Sequence, residues 1–394
     1  MLKQSASPRL RAVEILTGLS IFCGIAGLLI FPEQTANGVR DGIRLCLDVI
    51  VPCLFPFFVL SAMLVESGCA DSVGRLLEPI MRPVFNLGGP CASAVALGFL
   101  GGYPVGARTA ITLYQKGLCD KTEAERLLSF CNNSGPAFIL GVVGVGIFAN
   151  SRAGLLLFLA HTASSLTIGF LFRFYKRGAP RTARAALSVP PPGNALPKAF
   201  IRSVTGSCRS VLSICAFVVF FTVAIKMLFL SGILPALAEA LGFALAPFGM
   251  TAQSAEHLLA GLIELTSGLW DLKGSSATLP GQLSMAAFML GWAGLSVHSQ
   301  VLSFIGKSGL TSWTYITGKI LHAIFSAVYA WLMTGLFHLD LPLSETLSEQ
   351  VGAFSRMRFS SALGVSLKVA LGVWVFFLGL AWYGFSRRKR VRIV

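Results

Sequence analysis

Charge is what this chain has least of. Only 12% of its 394 residues are charged and 17 are acidic, where soluble domains carry about a quarter charged residues. With 54% hydrophobic residues and a mean hydropathy of +0.73, a soluble fold is excluded. Catalytic signatures are missing as well: there is no G-x-S-x-G elbow, no H-E-x-x-H, no P-loop and no paired Asp within an apolar run. An enzyme is therefore not expected, and without a P-loop any transport is secondary or powered by a partner. The nine cysteines form no C-x-x-C pair and have no His partner at ligand spacing. Those inside apolar runs (Cys23, Cys46, Cys53, Cys131, Cys215) read as small packing residues, and no metal site or cofactor is expected. The net charge of +15 does not indicate nucleic acid, because the basic residues flank apolar runs, where orientation rules put them.

What remains is a chain built for lipid. Apolar runs long enough to cross a bilayer lie at 15–31, 49–67, 127–149, 153–175, 205–232, 281–305, 312–336 and 362–385. The first follows Lys3, Arg9 and Arg11 but meets Pro32-Glu33 with no small-residue cleavage pattern, so it reads as a retained span. Two further stretches, 90–113 and 255–278, are broken by Gly, Pro and polar residues and read as re-entrant hairpins, since irregular backbone at membrane depth must be buried in protein or line a cavity. The expected fold is all-α: eight transmembrane helices plus two re-entrant hairpins. The basic amino terminus, the basic connection from Arg173 to Arg202 and the tail 387–390 then all face the cytoplasm, with 338–361 outside.

A Pro-rich linker near mid-chain separates two halves with the same order of span, interfacial helix (72–86 and 234–249), hairpin, span, span. An offset of 163 residues pairs Gly98 with Gly261 and Asn133 with Ser296, and the linker makes the second copy inverted, a recurrent transporter design. The resulting division is 1–40 (first span), 41–175 (first gate-like repeat), 176–203 (basic cytoplasmic linker), 204–336 (second, inverted repeat), 337–361 (extracytoplasmic loop) and 362–394 (last span and basic tail).

Polar groups concentrate at matching places. The first hairpin carries Gly102, Tyr103, Pro104, Gly106 and Arg108, where Gly and Pro disfavour a continuous helix and a half-helix amino end would favour an anion. The next span opens with Asn132, Asn133 and Ser134, polar groups that need partners at membrane depth. The second half offers Glu264, Thr266 and Ser267, then Ser296, His298 and Gln300. Glu264 is the most interior carboxylate, either a functional group or a buried partner of Lys226, Lys319 or Arg108. Lys226, Lys319 and His322 could each attract an anion, although lysines near span ends commonly snorkel. These residues form the expected substrate site. The partners are the bilayer and a small-molecule substrate, with a homo-oligomer and the coupling ion (Na+ or H+) left open.

The strings Gly101-Gly-Tyr-Pro-Val-Gly-Ala107, Lys116-Gly117, Glu123-Ala-Glu-Arg-Leu-Leu-Ser-Phe-Cys-Asn-Asn-Ser-Gly-Pro136 and Gly294-Leu-Ser-Val-His-Ser-Gln300 resemble the YlbJ/SpoVV-type sporulation integral membrane proteins. That resemblance implies movement of dipicolinic acid across the outer forespore membrane by alternating access. The family is in turn similar to the gate modules of concentrative nucleoside transporters, with eight spans and two hairpins around a midplane site. By position, their ligand groups correspond here to residues 102–106, 132–134, Glu264 and Ser296. The first hairpin lacks the acidic residue those carriers use, which suits an anionic substrate over a ribose. A nucleoside or nucleobase carrier and a non-transporting scaffold are the alternatives.

Overall fold

A computed structural model of the chain describes residues 8–66, 79–177, 195–275 and 277–337. The centre of the basic linker, residues 72–78 of the first expected interfacial helix, and the expected outer loop, last span and tail lie outside the described residues. Every regular element among the described residues is helical, as expected where the backbone must satisfy its own hydrogen bonds.

Helix α1 (Pro8–Ile30) meets α2 (Pro32–Leu45) at a 98° bend, with Pro32 opening α2. A π-turn at Cys46–Ile50 carries α2 on into α3 (Val51–Glu66). There follow α4 (Cys91–Gly101), α5 (Val105–Gln115), α6 (Lys121–Phe130), a π-helical segment (Ala137–Ile147) and α7 (Ser151–Phe172). The second half holds α8 (Ala195–Leu230), α9 (Ile233–Leu245), α10 (Ala252–Ile263), α11 (Leu265–Asp271), α12 (Leu279–Trp292), α13 (Gly294–Gly306) and α14 (Trp313–Phe337).

Among the described residues, four stretches are long and apolar enough to cross a membrane: Ser151–Phe172, Pro197–Leu230, Leu279–Gly306 and Trp313–Leu336. The bent α1–α2 pair is a fifth. The sequence predicts more, for identifiable reasons. The run 127–149 is interrupted at 131–135, where Ser134-Gly135-Pro136 breaks the helix. The run 281–305 is one of the four, although Ala293 takes a left-handed conformation (φ 83°) between α12 and α13 within it, and 362–385 lies outside the described residues. The run 49–67 belongs to a helix that already begins at Pro32, crossing the expected boundary at residue 40.

Glycines set how closely these helices approach. Gly291 of α12 packs on the Ala323 backbone of α14, Gly318 of α14 on Ser129 of α6, and Gly144 on Gly154 of α7. Backbone approach of this kind is how helices associate where lipid supplies no hydrophobic drive.

At one end of the bundle, polar side chains fasten the loops. Asp120 and Glu123 form a reciprocal capping box on α6, and the second Glu123 oxygen accepts the Gly88 amide at 2.9 Å. The Arg126 guanidinium donates to the carbonyls of Asn86, Tyr175 and Lys176, satisfying groups just beyond the end of α7. Glu125 accepts from the Tyr175 hydroxyl and the Lys176 ammonium, both at 3.0 Å. The Tyr175 side chain first, then Glu125, holds that ammonium above its ordinary pKa. The charged string 123–126 is thus a structural clasp away from the polar centre.

Candidate functional site

Both stretches predicted to be broken are broken. Helix α4 ends at Gly101 and α5 starts at Val105, with Gly102 at φ 69° and ψ −170° between them. That conformation is essentially reserved for glycine. In the second half α10 gives way to α11 at Glu264, in extended backbone. Each pair folds back on itself through a glycine contact: Gly98 with Gly106, and Gly261 with Gly268. The Cys131 carbonyl sits against Gly98 and Gly106, so a Cβ on either glycine would collide with it.

Each break then meets the interruption of the following apolar run. A Cβ on Gly102 would lie 3.1 Å from the Gly135 nitrogen. A Cβ on Gly294, itself at φ 80°, would lie 2.9 Å from the Leu265 nitrogen. Tyr103 donates its hydroxyl to the Leu290 carbonyl, and Trp292 donates its indole N–H to the Leu262 carbonyl at 3.1 Å. Four irregular segments, at 102–104, 131–135, 264 and 293, therefore gather in one place.

A cavity of about 70 Å³ lies among them. Its polar side is made by Gly102, Tyr103, Ser134, Glu264, Thr266, Ser296 and Gln300, all expected from sequence. Its other side is apolar: Ile50, Leu54 and Phe58 from the π-turn and α3, and Ile214, Phe217 and Val218 from α8. Sequence reading missed this wall, since nothing in an apolar span marks which face meets a cavity.

The remaining expected residues sit elsewhere. Ser267 lines a second, larger cavity of about 550 Å³, and its hydroxyl meets that of Thr222 at 3.1 Å. Asn132 and Asn133 are buried behind the first break, and the Asn133 amide donates to the Phe130 carbonyl at 2.9 Å. His298 is buried against Trp292, with Nδ1 2.9 Å from the Tyr315 hydroxyl. Pro104 and Gly106 shape the turn without lining the cavity wall. Arg108 is exposed on α5 and lines neither cavity.

The pairings suggested for Glu264 do not occur either. Glu264 is buried and its Oε2 accepts the Ser267 amide at 2.7 Å, capping α11. Lys226 is paired with Asp41 at 3.0 Å instead, and Lys319 donates to the Asn132 carbonyl at 3.3 Å. A buried polar chain continues behind the cavity. The Ser134 amide donates to His161 Nε2 at 3.1 Å, the His161 and His322 rings lie 4.3 Å apart, and the Ser164 hydroxyl donates to the His322 carbonyl at 3.1 Å.

Three comparisons bear on this arrangement. Residues 47–177 match the Gate family, described as nucleoside recognition. The backbone is similar to solved structures of CNTnw. Two outward-facing forms give TM-scores of 0.54 and 0.52 at 12% and 14% identity, covering 84% and 83% of this chain and 86% of each of theirs. An intermediate form gives 0.51 at 14% identity, covering 84% of this chain and 87% of that one. At such identities the likeness is one of fold. The sporulation integral membrane protein YlbJ of Bacillus subtilis (strain 168) is 30% identical over 324 residues, 78% of this chain and 79% of that protein. On that match the chain belongs to the YlbJ family of sporulation integral membrane proteins, multi-pass membrane proteins on a fold shared with CNTnw.

Proposed function

We propose that this chain is a secondary transporter of a small, planar, anionic metabolite, dipicolinic acid, which it moves across the outer forespore membrane during sporulation by alternating access. The observation that carries the reading is the shared cavity. Tips from two separately broken segments, Tyr103 and Glu264–Thr266, meet there with Ser134 and Ser296 from two interrupted runs. In this reading α4–α5 and α10–α11 are re-entrant hairpins of an inverted repeat with eight spans, and both termini are cytoplasmic. Residues 41–175 and 204–336 are then the two gate-like units.

The cavity's two-sided lining supports a flat ring held edge-on: carbon faces against Leu54, Phe58 and Phe217, polar edges toward the breaks. The amino end of α5 favours one carboxylate, while Glu264 acts through the cap that holds the second tip. At about 70 Å³ the cavity holds about five waters, less than a ring-bearing metabolite needs. Loading therefore requires the apolar α3–α8 wall and the broken segments to move apart. The larger cavity, reached past Thr222 and Ser267, is the outward vestibule.

A specific observation favours a second reading, transport of a neutral nucleoside or nucleobase. The vestibule carries Asp41, Asp48, Glu256 and Asp271 against Arg44 and Lys226, a balance that does not steer anions inward. Uptake of labelled dipicolinate into proteoliposomes separates the two. Saturable dipicolinate uptake supports the first; a nucleoside that is carried while dipicolinate is inert establishes the second. If neither moves, and Asn133→Ala and Glu264→Ala leave sporulation intact at normal expression, the polar centre is a scaffold.

A further inference from the structure

We propose that the Lys319 ammonium is a tethered cation filling the site where a transporter of this design would hold a free coupling cation, so that this chain neither binds nor requires Na+. The inference rests on the transport reading for its meaning, but its geometry stands independently.

Transporters with discontinuous helices hold their coupling cation at unwound backbone carbonyls and at the carboxyl ends of half-helices, where the helix dipole is negative. Such a place exists here. Helix α6 ends at Phe130 and the backbone is unwound over 132–135. The Asn132 backbone carbonyl lies just past that end and is the oxygen that Lys319 reaches, while the buried side-chain oxygens of Asn132 and Asn133 accept from no donor. This is an oxygen-rich pocket at the negative end of a helix, beside the first break.

The Lys319 side chain already reaches that carbonyl. Lys319 is 1% exposed, its Nζ is 3.3 Å from the Asn132 carbonyl, and it lies 4.9 Å from the centre of the Tyr103 ring. Among the described residues no carboxylate forms an ion pair with it. The buried Lys319 side chain is met by one carbonyl, a ring face and the carboxyl end of a helix, the kind of groups that attract a cation. Its delivery is built into the packing. Gly318, the preceding residue, has no side chain where α14 rests on the Ser129 backbone, and that approach brings Lys319 to the end of α6. Tyr103 also lines the cavity, so the Lys319 side chain and the cavity share this ring.

The test is thermal melting of the purified protein in detergent, in NaCl and in choline chloride at equal ionic strength, for wild type and Lys319→Ala. The wild-type melting temperature is expected to be the same in both salts. In Lys319→Ala the Asn132 carbonyl loses its donor and becomes available, and NaCl is expected to raise the melting temperature by about 5 °C over choline chloride, saturating with concentration. A saturable Na+ effect on wild type, or a folded variant that remains indifferent to Na+, overturns the proposal. If Lys319→Ala does not fold, Lys319→Ser takes its place, and the wild-type arm decides by itself. No substrate is used, so failure here is distinct from failure of the transport reading, which only flux can register.

Discussion

Gly102 offers the sharpest separation of fold from function, because a second glycine in the chain provides its control. At φ 69° and ψ −170°, an alanine at 102 incurs about 1–3 kcal/mol of backbone strain. Its Cβ would also sit 3.1 Å from the Gly135 nitrogen, close enough to push the first break off the interruption at 131–135. Gly117 likewise has a positive φ of 68°, but open space surrounds its Cβ position, so Gly117→Ala costs only the left-handed penalty of about 1–2 kcal/mol. Both variants should melt a few degrees below wild type, at about 2–4 °C per kcal/mol. Only Gly102→Ala should lose transport, by tenfold or more, in proteoliposome uptake normalised to folded protein. Uptake by Gly102→Ala equal to that of Gly117→Ala would refute a working role for the first tip.

Further outcomes follow from other contacts. Glu264→Ala removes the cap on the Ser267 amide, costing about 1 kcal/mol and abolishing uptake, whereas Glu264→Gln keeps a capping oxygen and should retain part of it; uptake assays and melting curves report both. Arg126→Ala strands buried carbonyls near residues 86 and 175, so it should lose about 2–4 kcal/mol of stability while uptake per folded molecule stays at the wild-type level. Paired cysteines at Thr222 and Ser267, whose hydroxyls are 3.1 Å apart, should crosslink on oxidation and stop flux, with recovery on reduction; undiminished flux in the oxidised protein would mean that α8 and α11 do not separate during transport.

How much of this was legible in the sequence depended on the residue type at each turn. Pro104 among glycines announced the first break, and a lone carboxylate among apolar residues announced Glu264. The interruption at Ala293 was not legible, because alanine is a strong helix former, yet it takes a left-handed conformation beside Gly294, where the chain runs close to Leu265. Helix α2 was missed because its polar residues carry no span signal, although Pro32 is a recognisable helix start. The string Glu123–Arg126 carries only the family resemblance in the sequence, and its burial and carbonyl partners show it to be a loop clasp. Arg108 illustrates the converse: its place in the motif suggests substrate, while its side chain lies exposed on α5.

One measurement goes straight to the meeting of the two breaks. In a background with the native cysteines replaced, Ser134→Cys and Thr266→Cys are labelled with a small, membrane-impermeant thiol reagent, with and without substrate. Both positions should react through the aqueous path, and one substrate should protect both over the same concentration range. Reaction at neither position, or protection of one and not the other, would mean that the first and second halves do not build a common site.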